Sequence, residues 1–161
     1  VLCDGAAVRA AKALGVGAVF SGNVGGKSDD LHGPPMPLVG EIIFQEAVRY
    51  QRRGDYMTGQ WIDLGEVAVI QADGVSVMLT EAKAMPFDAD HLAAAGIAAE
   101  MQQIIVVKSA IAWQAHFQTF AKGEIYVDTP GVCASNLKRF EYTKLDRAIY
   151  PIDDDGIWPA K

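Results

Sequence analysis

The sequence is short of cysteine, of basic residues and of long apolar runs, and each shortage excludes a class of protein. Its two cysteines, Cys3 and Cys133, are far apart and match no metal-binding spacing, so we expect no disulfide scaffold and a cytoplasmic location. Lysine and arginine number 14 against 20 acidic residues, and phosphate binding needs positive charge, so we expect no nucleic-acid partner. No apolar run approaches the roughly 20 residues of a membrane span, and no signal-peptide pattern is seen, so we expect no membrane partner.

What the sequence does have is an ordinary globular composition, with 50% hydrophobic and 21% charged residues. A chain of 161 residues is long enough for one domain with a proper core, so we predict a single domain over residues 1–161. The chain starts at Val1 and enters helical sequence at once. We therefore expect a fragment whose amino-terminal part is missing.

The organising stretch has the order strand, helix, strand. Residues 104–107 are four β-branched residues, typical of a strand buried on both faces. Aromatic residues at spacings of four and three predict a helix over 113–120, and 124–127 is a second β-rich run. We predict a parallel βαβ unit, in which ligands collect at the carboxyl ends of the strands. The polar residues at those ends are Lys108, Ser109 and Asp128.

The predicted fold class is α/β, with a mixed β-sheet of antiparallel meander strands plus this parallel βαβ unit, flanked by helices. Residues 38–50 indicate a long strand with Ile42, Phe44 and Val48 on one face. Alternating apolar residues on both sides of Asp73-Gly74 predict a hairpin.

Two helices and one short strand complete the prediction. Asp4 can cap an alanine-rich helix that Gly15 ends, and residues 16–20 follow as a short strand. A second short helix is predicted over 88–95, closed by Gly96.

Three short segments are GTPase-like: residues 21–28, 128–131 and 143–146. A phosphate-binding loop needs glycine where Ser21 stands, and its lysine and serine must open a helix. Gly33-Pro34-Pro35 cannot support that helix. We therefore regard these GTPase-like motifs as spurious.

The glycine-rich loop 21–35 carries the densest polar group, including Lys27, Asp30 and His32. Lys27 and converging backbone N–H groups could bind an anion, and Asp30 with His32 could ligate a metal or transfer protons. Equally, a surface loop uses such residues to satisfy the backbone of its turns. Both interpretations stay open.

The remaining polar residues have ordinary interpretations. We expect His91 to be a solvated helix residue and His116 a partly buried packing residue. The arginines Arg49, Arg52 and Arg53 indicate a solvated strand edge. Neither histidine has a ligand spacing, and a catalytic zinc normally needs three protein ligands, so we predict no metal site in this chain.

Alternatives stay open at the strand ends as well. Lys108 and Ser109 could pair as nucleophile and base or clamp an anion, or Lys108 could extend out of a buried strand while Ser109 caps the next helix. Asp128 is either acidic machinery or part of an ordinary Asp-Thr-Pro-Gly turn. The sequence contains no recognised nucleophile elbow or paired-carboxylate motif, so we name no catalytic residue.

Several short motifs occur in one order along the chain: GVGA, GGKSDDLHGPP, DGVSVMLT, IIVVKS, YVDTPG and AIYPID. This series resembles the carboxy-terminal domain of the microcystinase C-like (MlrC-like) zinc metallopeptidases. The chain departs from that pattern at Ala112-Trp113-Gln114, where the family typically has a histidine-aromatic-arginine run, and at Arg147-Ala148, where many members have arginine-proline.

The resemblance implies a two-part enzyme whose amino-terminal metallopeptidase domain carries zinc and cleaves a peptide or other amide. By that resemblance this chain is the accessory, substrate-cleft domain, without zinc or activity of its own, and a homo-oligomer is compatible with it. We expect the loop around Lys27 and His32, with Lys108, to contact a substrate carboxylate. The alternatives are a purely structural or dimerisation domain and a small-anion-binding module.

Overall fold

The structure is a computed structural model that describes residues 1–129, 136–144, 150 and 152. The chain divides into two compact units, Val1–Glu124 and Ile125–Lys161, and each is described by itself. The single domain over 1–161 therefore stays a prediction. No helix within the described residues is long and apolar enough to cross a membrane.

The first unit is built on a mixed five-stranded sheet, which confirms the predicted α/β fold class. The strand order is β1-β5-β4-β3-β2, and every neighbouring pair is antiparallel except β1 with β5, which is parallel. The strands are β1 (Leu2–Cys3), β2 (Val19–Val24), β3 (Met36–Gln51), β4 (Trp61–Ala72) and β5 (Val75–Thr80).

Short helices accompany the sheet. Asp4 caps the first one as predicted, because its Oδ1 accepts the Ala7 N–H at 3.0 Å, and Gly15 ends it with a φ of 86°. The α-helices within the described residues are α1 (Gly5–Leu14), α2 (Asp90–Ala93) and α3 (Gln114–Phe117), and the 3-10 turns are Ala99–Met101 and Leu137–Arg139.

The predicted hairpin is confirmed. Asp73 and Gly74 both have positive φ, 45° and 82°, and Ala72 pairs with Val75 across the turn. Two left-handed residues between two strands are the geometry that matches strand twist, and aspartate-glycine is the sequence that adopts it most readily.

The predicted common face of Ile42, Phe44 and Val48 is wrong. Ile42 pairs with Ile70, but Phe44 pairs with Val69, so a bulge lies between Ile42 and Phe44. The bulge places Phe44 on the opposite face of the sheet from Ile42. Paired residues share a face, and Val69 and Ile70 are neighbours that point in opposite directions. Ile42 consequently packs with the core under α1, and Phe44 and Val48 pack with the core on the other face.

The sheet is therefore apolar on both faces. The first face packs against α1 through Ala7, Val8 and Ala11. The second face is covered by the chain after β5, where Ala95 and Ile97 are buried. The residues after β5 thus extend over one end of β3, and this covering places the polar groups described below.

The parallel βαβ unit is not where the sequence predicted it. Residues 104–107 and 124–127 are not strands, and the parallel pair of the sheet is β1 with β5. The reason is that a strand requires a hydrogen-bonded neighbour, and no described strand pairs with either segment. Between the two segments Phe117 is buried, and Trp113 and Phe120 pack against it.

Candidate functional site

The glycine-rich loop is tied to the start of α1 through Lys27. Its ammonium donates to Asp4 Oδ2 at 2.7 Å and to the Asn23 carbonyl at 2.7 Å, and the Gly25 N–H donates to the same Asp4 oxygen at 3.0 Å. Asp4 is buried, and its other oxygen caps α1. One carboxylate therefore fixes both the helix and the loop, and the charge of Lys27 is used in that contact.

The electrostatics of Asp4 follow from these contacts. Burial on its own raises the pKa of a carboxyl group, but the hydrogen bonds from Lys27, Ala7 and Gly25 and the charge of Lys27 together lower the pKa of Asp4. The carboxylate is the form that holds the loop.

The loop also closes tightly on itself. Gly26 has a φ of 58°, and a Cβ at this position would stand 2.5 Å from the backbone of Pro34. Only glycine fits there. As expected, no helix follows Lys27 and Ser28, which agrees with our rejection of a phosphate-binding loop.

Within the loop, Asp29 orients His32. Asp29 Oδ1 accepts the N–H groups of Leu31 at 2.8 Å and of His32 at 3.1 Å, and the His32 Nδ1 lies 2.6 Å from the same oxygen. The hydrogen bond from His32 is the main cause that lowers the pKa of Asp29. In a neutral imidazole, a carboxylate on Nδ1 favours the tautomer with the proton there, and Nε2 is then an acceptor. Asp30 is exposed beside this pair.

Lys108 and Ser109 lie after the exposed segment 104–107. Lys108 is exposed, and its positive charge is the second cause, after burial, that lowers the pKa of the Val1 amino group. The suggestion that Ser109 caps the next helix is wrong, because α3 begins at Gln114 with Trp113 as its cap.

Asp128 belongs to the second unit. Its Oδ2 lies 3.1 Å from Nη2 of Arg139 and accepts a hydrogen bond from Asn136 at 3.3 Å. This pairing is local within the second unit. Pro130 and Gly131, which complete the predicted turn, lie outside the described residues.

Sequence reasoning missed a buried polar cluster at the end of β3, formed by Tyr50, Arg52, Asp88 and His91. The side chains of Arg52 and Asp88 form an ion pair and are 1% and 3% exposed. Arg52 also donates to the Met85 carbonyl at 2.6 Å. Tyr50 and His91 share a hydrogen bond of 3.2 Å between the hydroxyl and Nδ1.

The prediction that Arg52 is a solvated edge residue and His91 a solvated helix residue is therefore wrong. Both are buried because the chain after β5 covers this end of the sheet. His116, by contrast, is partly buried against Phe117 and Phe120 as predicted.

Burial sets the protonation of this cluster. It is the largest cause that lowers the pKa of His91 to about 4, followed by the charges of the Val1 amino group and Arg52. Burial likewise raises the pKa of Tyr50. At neutral pH the cluster thus contains one ion pair, a neutral imidazole and a neutral phenol.

The described residues do not fit a zinc site. No group of three or more histidine, cysteine, aspartate or glutamate side chains converges within this part of the chain. Catalytic zinc normally has three protein ligands, so we assign no step of any reaction to a metal held by these residues.

Comparison with known proteins identifies the family. The sequence profile of the family described as MlrC C-terminus matches residues 1–144. The chain belongs to this family. It is 27% identical to Microcystinase C of Sphingomonas sp over 151 residues, which are 93% of this chain and 28% of that protein.

A solved structure agrees with this assignment. The chain is similar to a candidate metallopeptidase from Mesorhizobium sp. BNC1, with a TM-score of 0.79 and 31% identity over 93% of this chain. The match covers 30% of that structure's chain. The chain therefore spans less than a third of the length of either relative, and it corresponds to the carboxy-terminal domain of an MlrC-like protein.

Proposed function

We propose that this chain is the accessory, substrate-cleft domain of an MlrC-like zinc metallopeptidase that hydrolyses a peptide or other amide bond. The observation that carries the proposal is the match to the MlrC carboxy-terminal family over 1–144, together with the 31% identity to a candidate metallopeptidase. The zinc, the catalytic acid and the amino-terminal metallopeptidase domain then belong to the remaining length of such a protein. The cytoplasmic location and a homo-oligomer stay predictions.

The role we assign to this domain is to bind substrate through His32. Asp29 supports that role because its carboxylate contacts Nδ1, which leaves Nε2 of the exposed neutral ring as an acceptor suited to an amide N–H of a peptide. The contact of Lys27 with Asp4 supports it indirectly, because it fixes the loop that carries His32. In this proposal Lys27 positions the loop.

Lys108 is the cation we assign to a substrate carboxylate, with Ser109 beside it. Lys108 is exposed, and no described acidic group pairs with it. An exposed, unpaired ammonium is available to a ligand, whereas the ammonium of Lys27 is already paired with the Asp4 carboxylate. Asp30 and Asp128 remain substrate-binding predictions without a supporting contact.

The test uses a protein of the relatives' length that contains this domain. Lys108→Ala and His32→Ala should each raise KM for a peptide substrate about tenfold, since one contact with a charged or polar group is worth about 1–2 kcal/mol. Lys83→Ala is the matched control, because Lys83 is another exposed lysine of the same unit. An unchanged KM in both variants would contradict the proposal that this domain binds substrate in the cleft.

A purely structural domain is the second candidate, and the use of Lys27 and Asp128 in local ion pairs favours it. Unchanged KM with a lowered unfolding temperature in Lys27→Ala would support that role.

The third candidate, a small-anion-binding module, is tested by calorimetry with inorganic phosphate. Zinc content and peptide hydrolysis should also be measured on the 161-residue chain. Our proposal predicts no stoichiometric zinc and no hydrolysis from this chain alone.

A further inference from the structure

Residues 104–107 have the alternation of a strand although they are not part of a sheet. Ile105 and Val107 pack against the aromatic cluster around Phe117, whereas Ile104 and Val106 are 84% and 73% exposed. Side chains that alternate between a buried and an open face are the geometry of extended chain.

The exposed face of residues 104–107 is apolar, which is unusual for a segment in contact with water. An edge strand that faces solvent normally carries polar or charged residues at its outward positions, as protection against unwanted pairing. Here those positions are isoleucine and valine. Their backbone is open as well, since within the described residues no strand pairs with 104–107.

The relatives indicate what covers this segment. The matched family is the carboxy-terminal part of MlrC, and this chain spans 28% and 30% of the two relatives' lengths. A protein of that length therefore has most of its polypeptide before the matched region. Val1, the first residue of the matched region, packs against the second core cluster.

We propose that residues 104–107 form a strand in a sheet of the polypeptide that precedes the matched region in a protein of the relatives' length. A partner that belongs to the same polypeptide is held at high effective concentration, so few contacts suffice for it to pair. The inference rests on family membership and not on peptide hydrolysis.

This pairing would also position the polar residues that follow the segment. Once residues 104–107 are a strand, Lys108 and Ser109 stand at its carboxyl end. Ligands of open α/β sheets bind at those ends. The domain would then contribute its exposed lysine to a crevice of the partner's sheet.

Amide hydrogen exchange tests the proposal, with the 161-residue chain compared with the longer protein. We expect the amides of residues 104–107 to exchange close to the unprotected rate in the short chain and at least 100-fold more slowly in the longer protein. The amides of residues 67–71 in β4 serve as the reference, because this part of the strand has a paired neighbour on each side in the short chain. Equal exchange of 104–107 in both proteins would overturn the proposal.

A second copy of the chain is the competing occupant. Protection of 104–107 that appears in the short chain and rises with its concentration would assign the segment to a homodimer and overturn the proposal. Protection in the short chain at every concentration would overturn it too, since the segment would then be paired internally.

Proline substitutions in the longer protein make the test specific. Val106→Pro and Val107→Pro each remove one N–H, on opposite sides of the strand, so at least one should return the segment to fast exchange while β4 stays protected. Val106→Thr retains the N–H and should remain protected. No loss of protection in either proline variant would refute the pairing. The readout does not depend on peptidase activity.

Discussion

Acidification should destabilise this chain through His91. The pKa of His91 falls from an ordinary 6.5 to about 4 because the ring is buried, with smaller contributions from the charges of Val1 and Arg52. The phenol of Tyr50 also faces the ring and stays neutral, because burial raises its pKa. Between those two pH values the unfolded chain binds a proton that the folded chain does not. The free energy of unfolding therefore falls as the pH falls through this window.

The size of the effect follows from the separation of the two pKa values. A difference of about 2.5 corresponds to about 3 kcal/mol in total at 1.36 kcal/mol per pH unit, and about 2 kcal/mol of it is already lost at pH 4.5. His91 is 1% exposed, so solvent screening does not reduce this figure. Asp4 and Asp29 also have shifted pKa values, but theirs are lowered from 3.8, which places their losses below this window.

Urea unfolding of the 161-residue chain at pH 7.0, 5.5 and 4.5 measures this loss. The His91→Gln variant is the control, because it removes the titrating group and should show a pH dependence smaller by about 2 kcal/mol over the same range. A wild-type chain whose stability is the same at pH 7.0 and 4.5 would refute the burial of a neutral His91. Equal slopes in wild type and variant would assign the effect to other groups.

Two further predictions concern the buried Arg52–Asp88 ion pair and the partly buried contact of Lys27 with Asp4. Asp88→Ala leaves Arg52 buried without its partner and should lower the free energy of unfolding by about 3–5 kcal/mol in urea, whereas the double variant Arg52→Met/Asp88→Leu should recover most of that loss; a double variant as unstable as Asp88→Ala would contradict this. Asp4→Ala removes a helix cap and the partner of Lys27 together, so it should cost about 2–3 kcal/mol, while Lys27→Met, which retains the cap, should cost about 1 kcal/mol. Equal unfolding temperatures for these last two variants would show that the cap is unimportant.

Local chemistry explains which elements could be predicted from the sequence. The Asp4 cap, the end of α1 at Gly15 and the turn at Asp73-Gly74 depend on residues within a few positions of one another, and all three are confirmed. The prediction of a common face for Ile42 and Phe44 was wrong because a bulge shifts the alternation of side chains, and no sequence signal as clear as a glycine marks it.

Much less of the polar chemistry could be predicted, because it depends on contacts between distant residues. Arg52 and Asp88 are 36 positions apart, and the arginine looked like one of three at a strand edge. Its burial depends on the chain after β5, which no local pattern of Arg52 reveals. Lys27 illustrates the converse: its motif indicated an anion site, but Asp4, 23 positions earlier, already supplies the anion.

Residues 104–107 show that a failed prediction of structure can still carry information about assembly. Four consecutive β-branched residues favour a strand wherever a partner exists, and composition does not indicate which chain supplies that partner. In this chain the segment lies extended, with one apolar face packed and the other open. A sequence optimised for the 161 residues alone would place polar side chains at Ile104 and Val106. The proposed pairing accounts for their apolar character, and loss of exchange protection in the proline variants tests that pairing more directly than any measurement of activity.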